Sequence, residues 1–211
     1  MKEIGSGQVL YLLRHGQTTY NQLNIVQGGG IDSALNETGI EQARLFYERY
    51  KHLDWACGYA SALKRTYETI QFFEQKGVSI NKLPGLNELS WGEIEGLENS
   101  PEVQRKFLRV TDAWSSGQFD KSLPGGESAD QVAKRAIGAI RQILAAHSYG
   151  QNILICSHGR TLRILLSVLL GYGLNKMQFF SHENTGVNIL VHQGNFRFAA
   201  LHLNRTEHLK N

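Results

Sequence analysis

Two histidines stand directly after short apolar runs, where their side chains are placed for phosphoryl chemistry. The run QVLYLL spans 8–13 and leads into Arg14 and His15, and the run ILIC spans 153–156 and leads towards His158. An imidazole can attack phosphorus while an adjacent guanidinium holds the phosphate oxygens. A single histidine near a strand end is usually a hydrogen-bonded structural residue, but two in matching positions predict an active site that handles phosphate.

The residues that follow the two histidines add groups suited to binding an anion. Gly16 allows the backbone to come close to a ligand, and Thr18 and Asn21 supply neutral hydrogen-bond donors. Gly159 lies at the start of a predicted helix, where free backbone N–H groups favour an anion. We therefore assign Thr18, Asn21 and Gly159 to substrate binding.

A third candidate comes from the stretch SALKRTYET, which follows the apolar run 55–60. It places Arg65 in the first turn of a predicted helix, at another junction of strand and helix. An isolated arginine is by default a solvated surface residue, and Lys64 is assigned to that class. For Arg65, a position facing the same crevice as the two histidines favours a second guanidinium in the phosphate pocket.

The spacing of apolar residues predicts the elements that position these groups. Continuous apolar runs at 8–13, 55–60 and 153–156 indicate strands buried on both faces. Helical patterns and a C-terminal hairpin lie between and after them, at 38–51, 61–73, 103–114, 127–147, 161–170 and 187–203. The alternation predicts an α/β fold with a mostly parallel sheet, whose carboxyl strand ends form the crevice where ligands bind.

The chain of 211 residues is long enough to bury one large core, so we expect a single domain over 1–211. The segment 87–126 is irregular and rich in Gly, Ser and Glu. We interpret it as an insertion or lid over the active site.

Composition and charge argue against several classes of protein. The formal net charge is +3 and the basic residues are scattered, so we expect no nucleic-acid partner. The start at 1–7 is short and polar, and the apolar run 162–170 is too short to cross a bilayer, so we expect neither a signal peptide nor a membrane partner. Cys57 and Cys156 lie in apolar runs and are interpreted as buried, reduced thiols, which favours the cytoplasm. The expected partner is a small phosphorylated substrate, and a homodimer is compatible with the sequence.

Neither a metal nor a cofactor is expected. None of the eight histidines forms a close HxH or HxxxH pair, and the predicted pocket is cationic, which repels divalent ions. The other histidines are interpreted as exposed or hydrogen-bonded residues. His182, which precedes Asn184 by two positions, is retained as a minor site candidate.

An ordered set of motifs resembles the histidine phosphatase superfamily, also called phosphoglycerate mutase-like. The signature RHGxTxxN stands at 14–21 as RHGQTTYN. Five further elements follow in the order of the family, at 32–43, 61–69, 86–96, 125–128 and 155–159. Each element alone is weak, but the ordered set covers most of the chain and is specific.

The resemblance implies a three-layer α/β/α sandwich and a shared catalytic set. His15 is implied to be the nucleophile that becomes phosphorylated. Three residues are implied to clamp the phosphate: Arg14, Arg65 and His158. Gln27 and Gly28 are added to the candidate substrate-binding residues.

Glu88 is implied by the resemblance to be the proton donor, which then activates water as a base. On local sequence alone it is a surface carboxylate in a polar loop, the assignment given to Glu93, Glu95 and Glu98. Glu127 is left with two interpretations, either a carboxylate that orients pocket arginines or a first-turn helix residue favoured by the helix dipole.

The family contains phosphatases and phosphoglycerate mutases, and the residues after Glu88 separate the two. Where mutases carry a polar grip for a carboxylate, this chain has LSW at 89–91, and Asn99 stands near the position of a mutase lysine. We therefore predict a metal-independent phosphomonoester hydrolase. A mutase is the first alternative, supported by the basic pair at 105–106, and a non-catalytic phospho-ligand binding module is the second.

Overall fold

The structure is a computed structural model that describes residues 7–210. The segment 1–6, on which most of the signal-peptide expectation rests, lies outside the described residues, as does Asn211. Within 7–210 no helix is long and apolar enough to cross a membrane.

Six strands of the described chain form one sheet. Their bounds are β1 Val9–Arg14, β2 Trp55–Ala60, β3 Ile80–Lys82, β4 Asn152–Ser157, β5 Val187–His192 and β6 Phe198–Arg205. They lie in the order β3-β2-β4-β1-β5-β6, and the pairings β3–β2, β2–β4 and β4–β1 are parallel. Only the pairings of β5, with β1 and with β6, are antiparallel within this sheet. The predicted mostly parallel sheet is confirmed.

Six α-helices surround this sheet in the part of the chain that the structure describes. Their bounds are α1 Thr19–Gln22, α2 Glu37–Tyr50, α3 Lys64–Ile70, α4 Pro101–Ser115, α5 Ala129–Ala146 and α6 Gly159–Leu169. The helix predicted over 61–73 is shorter, because the chain tightens into a 3-10 helix at Gln71–Lys76. The elements α1 and β3 were not predicted, since four and three residues are too few to show a periodicity.

The side chains of β4 alternate between two hydrophobic clusters and so define the layers. Ile153 and Ile155 pack with α5 and α6 on one face, while Leu154 and Cys156 pack with α2 and α3 on the other. Each such buried side chain contributes roughly 1.5–3 kcal/mol, which explains why this strand is a continuous apolar run. The three-layer α/β/α sandwich is confirmed.

The segment 87–126 packs through a third cluster. Leu89, Trp91 and Trp114 are buried there together with Ile164 of α6. The segment is therefore held against the helix that begins where β4 ends, close to the carboxyl edge of the sheet.

The C-terminal hairpin predicted at 187–203 is formed by β5 and β6, and its second strand begins at Phe198 and ends at Arg205. Asn195 and Phe196 adopt positive φ angles of 48° and 56°, a left-handed conformation, and lie in the turn between the two strands. Backbone hydrogen bonds from Gln193 to Arg197 and from Arg197 to Gly194 close the turn at 2.8 and 2.9 Å.

Candidate active site

The register of two strands brings the two histidines side by side. β1 and β4 pair in parallel with Arg14 opposite Ser157, so His15 and His158 leave the sheet together. The backbone N–H of His15 donates to the carbonyl of Ser157 at 3.1 Å, and the centroids of the two imidazoles are 5.1 Å apart. Both predicted site residues are buried at one edge of the sheet.

The ring of His15 is oriented by the backbone of the next residue. Its Nδ1 lies 2.7 Å from the carbonyl oxygen of Gly16. Because a carbonyl only accepts, Nδ1 carries the proton and Nε2 keeps its lone pair. Burial, followed by the charges of Arg65 and Arg14, lowers the pKa of His15 well below the usual 6.5. The imidazole is therefore neutral at pH 7, with Nε2 as its nucleophilic atom.

Gly16 itself is needed for close packing of the loop after β1 on α2. A Cβ at Gly16 would lie 2.6 Å from the carbonyl oxygen of Gly39, in the first turn of that helix. The backbone N–H of Gly16 donates to Oγ1 of Thr69 at 2.9 Å. In the structure Gly16 therefore contacts the protein itself, and these contacts fix the loop that carries His15.

Arg65 is fully buried and held by three acceptors. Its Nε donates to Nδ1 of His158 at 3.2 Å, and its two Nη atoms donate to the carbonyls of Ile31 at 2.6 Å and Gly28 at 3.3 Å. Burial lowers the pKa of Arg65 to about 10, and the charge of Glu88 opposes that shift. Arg65 is therefore a buried cation at pH 7, next to the histidine pair and not on the surface.

Both ring nitrogens of His158 contact protein groups. Nδ1 accepts from Arg65, so the proton lies on Nε2, which is 2.8 Å from Oγ of Ser61. Burial and then the charge of Arg65 lower the pKa of His158 well below 6.5, so this ring is also neutral. In this arrangement His158 positions Arg65, and its direct contact with a phosphate remains a prediction.

Arg14 has a buried donor that is unpaired within the described residues. Its Nη1 donates to the carbonyl of His182 at 2.8 Å, whereas Nε has no hydrogen-bond partner. An unsatisfied buried donor costs about 1–3 kcal/mol, which a phosphate oxygen would offset. A Cβ at Gly159 would lie 3.5 Å from this Nε, so Gly159 borders the same point.

Glu88 occupies the N-terminus of α6, where the sequence analysis had expected a phosphate. Its Oε1 accepts from the backbone N–H groups of Leu89 and Thr161 at 2.9 and 3.0 Å, and from the Thr161 hydroxyl at 3.1 Å. Its Oε2 accepts from the N–H of Arg160 at 3.2 Å. The carboxylate thus satisfies the helix donors of Arg160 and Thr161 itself, and substrate binding at Gly159 stays a prediction. Oε2 has one donor only and is the oxygen with room for a proton.

A partly buried arginine that sequence reasoning missed fixes the backbone around Glu88. Arg135 pairs with Glu127 through two contacts of 2.8 Å and donates to the carbonyls of Gly85, Asn87 and Glu88 at 3.0, 2.7 and 3.1 Å. Glu127 thus bridges to Arg135 and not to the pocket arginines. It also precedes the N-cap of α5, so it is not a first-turn residue. No local motif marks this pair in the sequence.

A cleft of about 770 Å³ opens beside Arg14. Its walls come from the loop after β1, from residues 24–26, from the first half of α4 and from Asn184. The segment 87–126 thus supplies one wall of the cleft through α4. Among the described residues that line this space, Arg14 is the only charged one.

The other predicted binding residues form a hydrogen-bonded loop at the cleft. Thr18 is fully buried, caps α1 and donates to Oε1 of Gln27 at 2.9 Å. Oδ1 of Asn21 accepts from the Thr18 N–H and from Nδ2 of Asn184, both at 3.2 Å, and Asn184 also donates to the carbonyl of His15 at 2.9 Å. Asn21 and Asn184 line the cleft, whereas Thr18 and Gln27 do not, so the latter two support the loop.

Metal-binding side chains are dispersed in the part of the chain that the structure describes. Over 7–210 no group of three or more His, Cys, Asp or Glu residues is placed to hold a metal ion. Cys57 and Cys156 are buried, free thiols. Burial raises the pKa of the Cys156 thiol far above its usual range, so it is unreactive at pH 7.

A parallel sheet edge that gathers two neutral imidazoles, two guanidinium groups and a buried carboxylate defines an α/β protein built to handle phosphate. The chain belongs to the histidine phosphatase superfamily, branch 1, whose family model matches residues 10–206. Both the family and the fold that the sequence predicted are confirmed.

Relatives that are named for different activities have similar sequence identities to this chain. Phosphoserine phosphatase 1 of Hydrogenobacter thermophilus is 30% identical over 203 residues, covering 95% of this chain and 93% of that protein. The phosphoglycerate mutase of Schizosaccharomyces pombe is 33% identical over 193 residues, covering 87% and 89%. Among solved structures, Bacillus stearothermophilus YhfR superposes with a TM-score of 0.84 at 25% identity, covering 96% of this chain and 100% of that one.

Proposed function

We propose that the chain is a metal-independent phosphomonoester hydrolase that forms a phosphohistidine on His15 and acts on a small phosphorylated metabolite in the cytoplasm. The observation that carries the proposal is the contact between Nδ1 of His15 and the Gly16 carbonyl at 2.7 Å. It leaves an unprotonated Nε2 within the influence of the charges of Arg65 and Arg14, and Nε of Arg14 is unpaired among the described residues. Relatives named as phosphatases support the same activity.

In the first half-reaction, Arg14 and Arg65 neutralise the phosphate oxygens and hold the ester in line. Nε2 of His15 forms a bond to phosphorus as the bond from phosphorus to the ester oxygen breaks. A proton on Oε2 of Glu88 passes to the departing alkoxide, so the alcohol leaves neutral.

In the second half-reaction, the same carboxylate takes a proton from water as the water oxygen attacks phosphorus. The bond from phosphorus to Nε2 breaks, inorganic phosphate is released, and His15 returns to its neutral tautomer. Arg135 supports both steps because it holds the backbone of Glu88 through the contact of 3.1 Å to its carbonyl.

Hydrolysis is favoured over the mutase reaction by the charges at the cleft. The basic pair at 105–106 does not line it, and Lys106 lies 3.3 Å from Glu93 and 3.6 Å from Glu102. Asn99, near the position of the mutase lysine, does line it and is uncharged. We interpret 87–126 as a cover for the active site within a single domain, which its packing on α6 supports.

The test compares two activities of one preparation. Hydrolysis of p-nitrophenyl phosphate is measured beside the interconversion of 2- and 3-phosphoglycerate with a bisphosphate primer. We expect hydrolysis to exceed interconversion by at least about 100-fold, a difference of ~2.7 kcal/mol in barrier. Efficient interconversion would make the chain a mutase, and tight phosphate binding without turnover of either substrate would make it a binding module.

A further inference from the structure

We infer that the alcohol part of the substrate is uncharged, carries several hydrogen-bonding groups and has an apolar face, as in a sugar or a nucleoside. The inference rests on the proposed hydrolase function and names the class of ester that this site takes. It comes from the cleft beside Arg14, whose other lining residues, apart from the predicted anion ligand Asn21, are not assigned to the phosphate.

Carboxamides make up most of the polar lining of the cleft. The six are Gln17, Asn21, Asn24, Asn99, Gln104 and Asn184. A carboxamide presents both a donor and an acceptor, so it matches hydroxyl groups and the edges of heterocyclic bases. It offers no charge to balance a carboxylate or an ammonium group, which lose hydration when they enter a protein cleft.

The cleft also has an apolar surface, which is formed by side chains of α1 and α4. Tyr20 and Phe107 line the cleft with partly buried rings, and Leu108 lines it while 51% exposed. A sugar ring or a base has one flat face of C–H or π character that packs on such side chains. Serine and glycerate have no comparable face.

Two further arginines, on α6, are engaged outside the cleft. Arg14 is assigned to the phosphate. The guanidinium of Arg160 lies 5.3 Å from the ring centroid of Phe107 and donates to Oε1 of Gln178 at 3.1 Å. Arg163 donates to the carbonyl of Gln178 at 3.1 Å. Neither Arg160 nor Arg163 lines the cleft, so among residues 7–210 no second cation is placed there to receive a carboxylate.

The first experiment compares kcat/KM at pH 7 for glucose 6-phosphate, adenosine 5′-monophosphate, O-phospho-L-serine and 3-phosphoglycerate, with p-nitrophenyl phosphate as the general substrate. We expect the better of the two uncharged alcohols to exceed both charged ones by at least about tenfold, equal to ~1.4 kcal/mol. The ratio of kcat/KM for glucose 6-phosphate to that for adenosine 5′-monophosphate shows whether a sugar or a nucleoside fits the cleft better. Preference for phosphoserine or 3-phosphoglycerate would overturn the inference and leave the hydrolase standing. No hydrolysis of any ester would overturn the proposed function itself.

The second experiment introduces a positive charge into the lining of the cleft. Gln104→Lys places a cation on an exposed position of α4 that lines the cleft, and we expect it to raise kcat/KM for 3-phosphoglycerate by about tenfold. The matched control is Gln118→Lys, an identical change at an exposed residue outside the cleft. It should leave all rates unchanged. Equal effects of the two substitutions would overturn the inference, because the alcohol would then not lie against this wall.

Discussion

Nδ1 of His15 lies 2.7 Å from the carbonyl oxygen of Gly16, the next residue in the chain. A backbone acceptor cannot itself become protonated, and the geometry of the loop fixes its direction, since Gly16 packs against the backbone of Gly39. The tautomer of the nucleophile is therefore determined by the path of the chain after β1 and not by another side chain. The same burial that lowers the pKa of His15 keeps Nε2 unprotonated in mildly acidic solution.

His15→Gln is expected to lower kcat/KM by at least about 10³-fold, because the nitrogen lone pair of an amide is delocalised into its carbonyl and is not nucleophilic enough to attack phosphorus. A radiolabelled ester, mixed with the unaltered chain and quenched, should leave an acid-labile label on the peptide that contains His15. His202→Gln, at an exposed histidine of β6, is the control and should keep full activity. Label on a serine, or on His158, would reject the assignment.

The fold was largely predictable because its signals are local. Continuous apolar runs mark β1, β2 and β4, and in the structure β4 is buried on both faces by α-helices. Asn36 and Ser128 are N-caps whose side chains accept from the backbone, so the chemistry of single residues sets two helix starts. The short elements α1 and β3 were not predicted from the sequence, since they depend on contacts with distant segments.

Only those site residues that belong to a sequence motif could be predicted. His15, Arg65 and His158 were placed correctly at one edge of the sheet, but their partners were not visible in the sequence. The acceptor for His15 is a backbone carbonyl, and every residue has one. Arg135 lies in the middle of an amphipathic helix, 47 positions from Glu88, and only tertiary packing brings them together.

Activity is expected to survive chelation and to be blocked by vanadate. Arginines supply the positive charge that a metal supplies elsewhere, and vanadate copies the trigonal-bipyramidal geometry of phosphoryl transfer. The measurement is the rate with p-nitrophenyl phosphate after dialysis against EDTA, and then with added vanadate. Loss of activity in EDTA that a divalent ion restores would contradict the proposed chemistry.

The free energy of unfolding is expected to fall as the pH drops below about 6.5. Burial lowers the pKa of His182 to about 3. Below pH 6.5 this side chain is therefore protonated in the unfolded chain while it stays neutral in the folded chain. Between pH 6 and pH 4 this histidine alone should contribute a slope of up to ~1.4 kcal/mol per pH unit, with full stability above pH 6.5. Urea unfolding at pH 7, 6, 5 and 4 measures it.

The variant His182→Gln isolates this contribution, because every other titratable group of the chain is kept. It should reduce the slope between pH 6 and pH 4 by about the stated amount, whatever its effect on absolute stability. Gln118→Ala, at an exposed neutral residue, should keep the slope of the unaltered chain. A slope that His182→Gln does not change would show that His182 becomes protonated in the folded state.

The role of Glu88 is best separated from simple binding by the basicity of the leaving group. An alkoxide leaves poorly unless it is protonated, whereas p-nitrophenolate is a much weaker base and hardly needs the proton. General acid catalysis is typically worth ~10²–10⁴ in rate. Glu88→Gln keeps a carbonyl oxygen that can accept from the Thr161 N–H, so α6 should keep its first turn while the proton donor is lost.

We therefore expect Glu88→Gln to slow phosphorylation of His15 by an alkyl phosphate by about 10²-fold or more, and by p-nitrophenyl phosphate far less. Single-turnover kinetics are required, because the variant also lacks the base for hydrolysis of the phosphohistidine and steady-state rates would mix the two losses. Glu95→Gln is the comparison, since Glu95 is another carboxylate of the same segment that accepts backbone N–H groups, from Trp91 at 2.7 Å and Gly30 at 3.0 Å. It should affect both substrates equally. Equal losses with Glu88→Gln would mean that this carboxylate positions α6 and does not supply the proton.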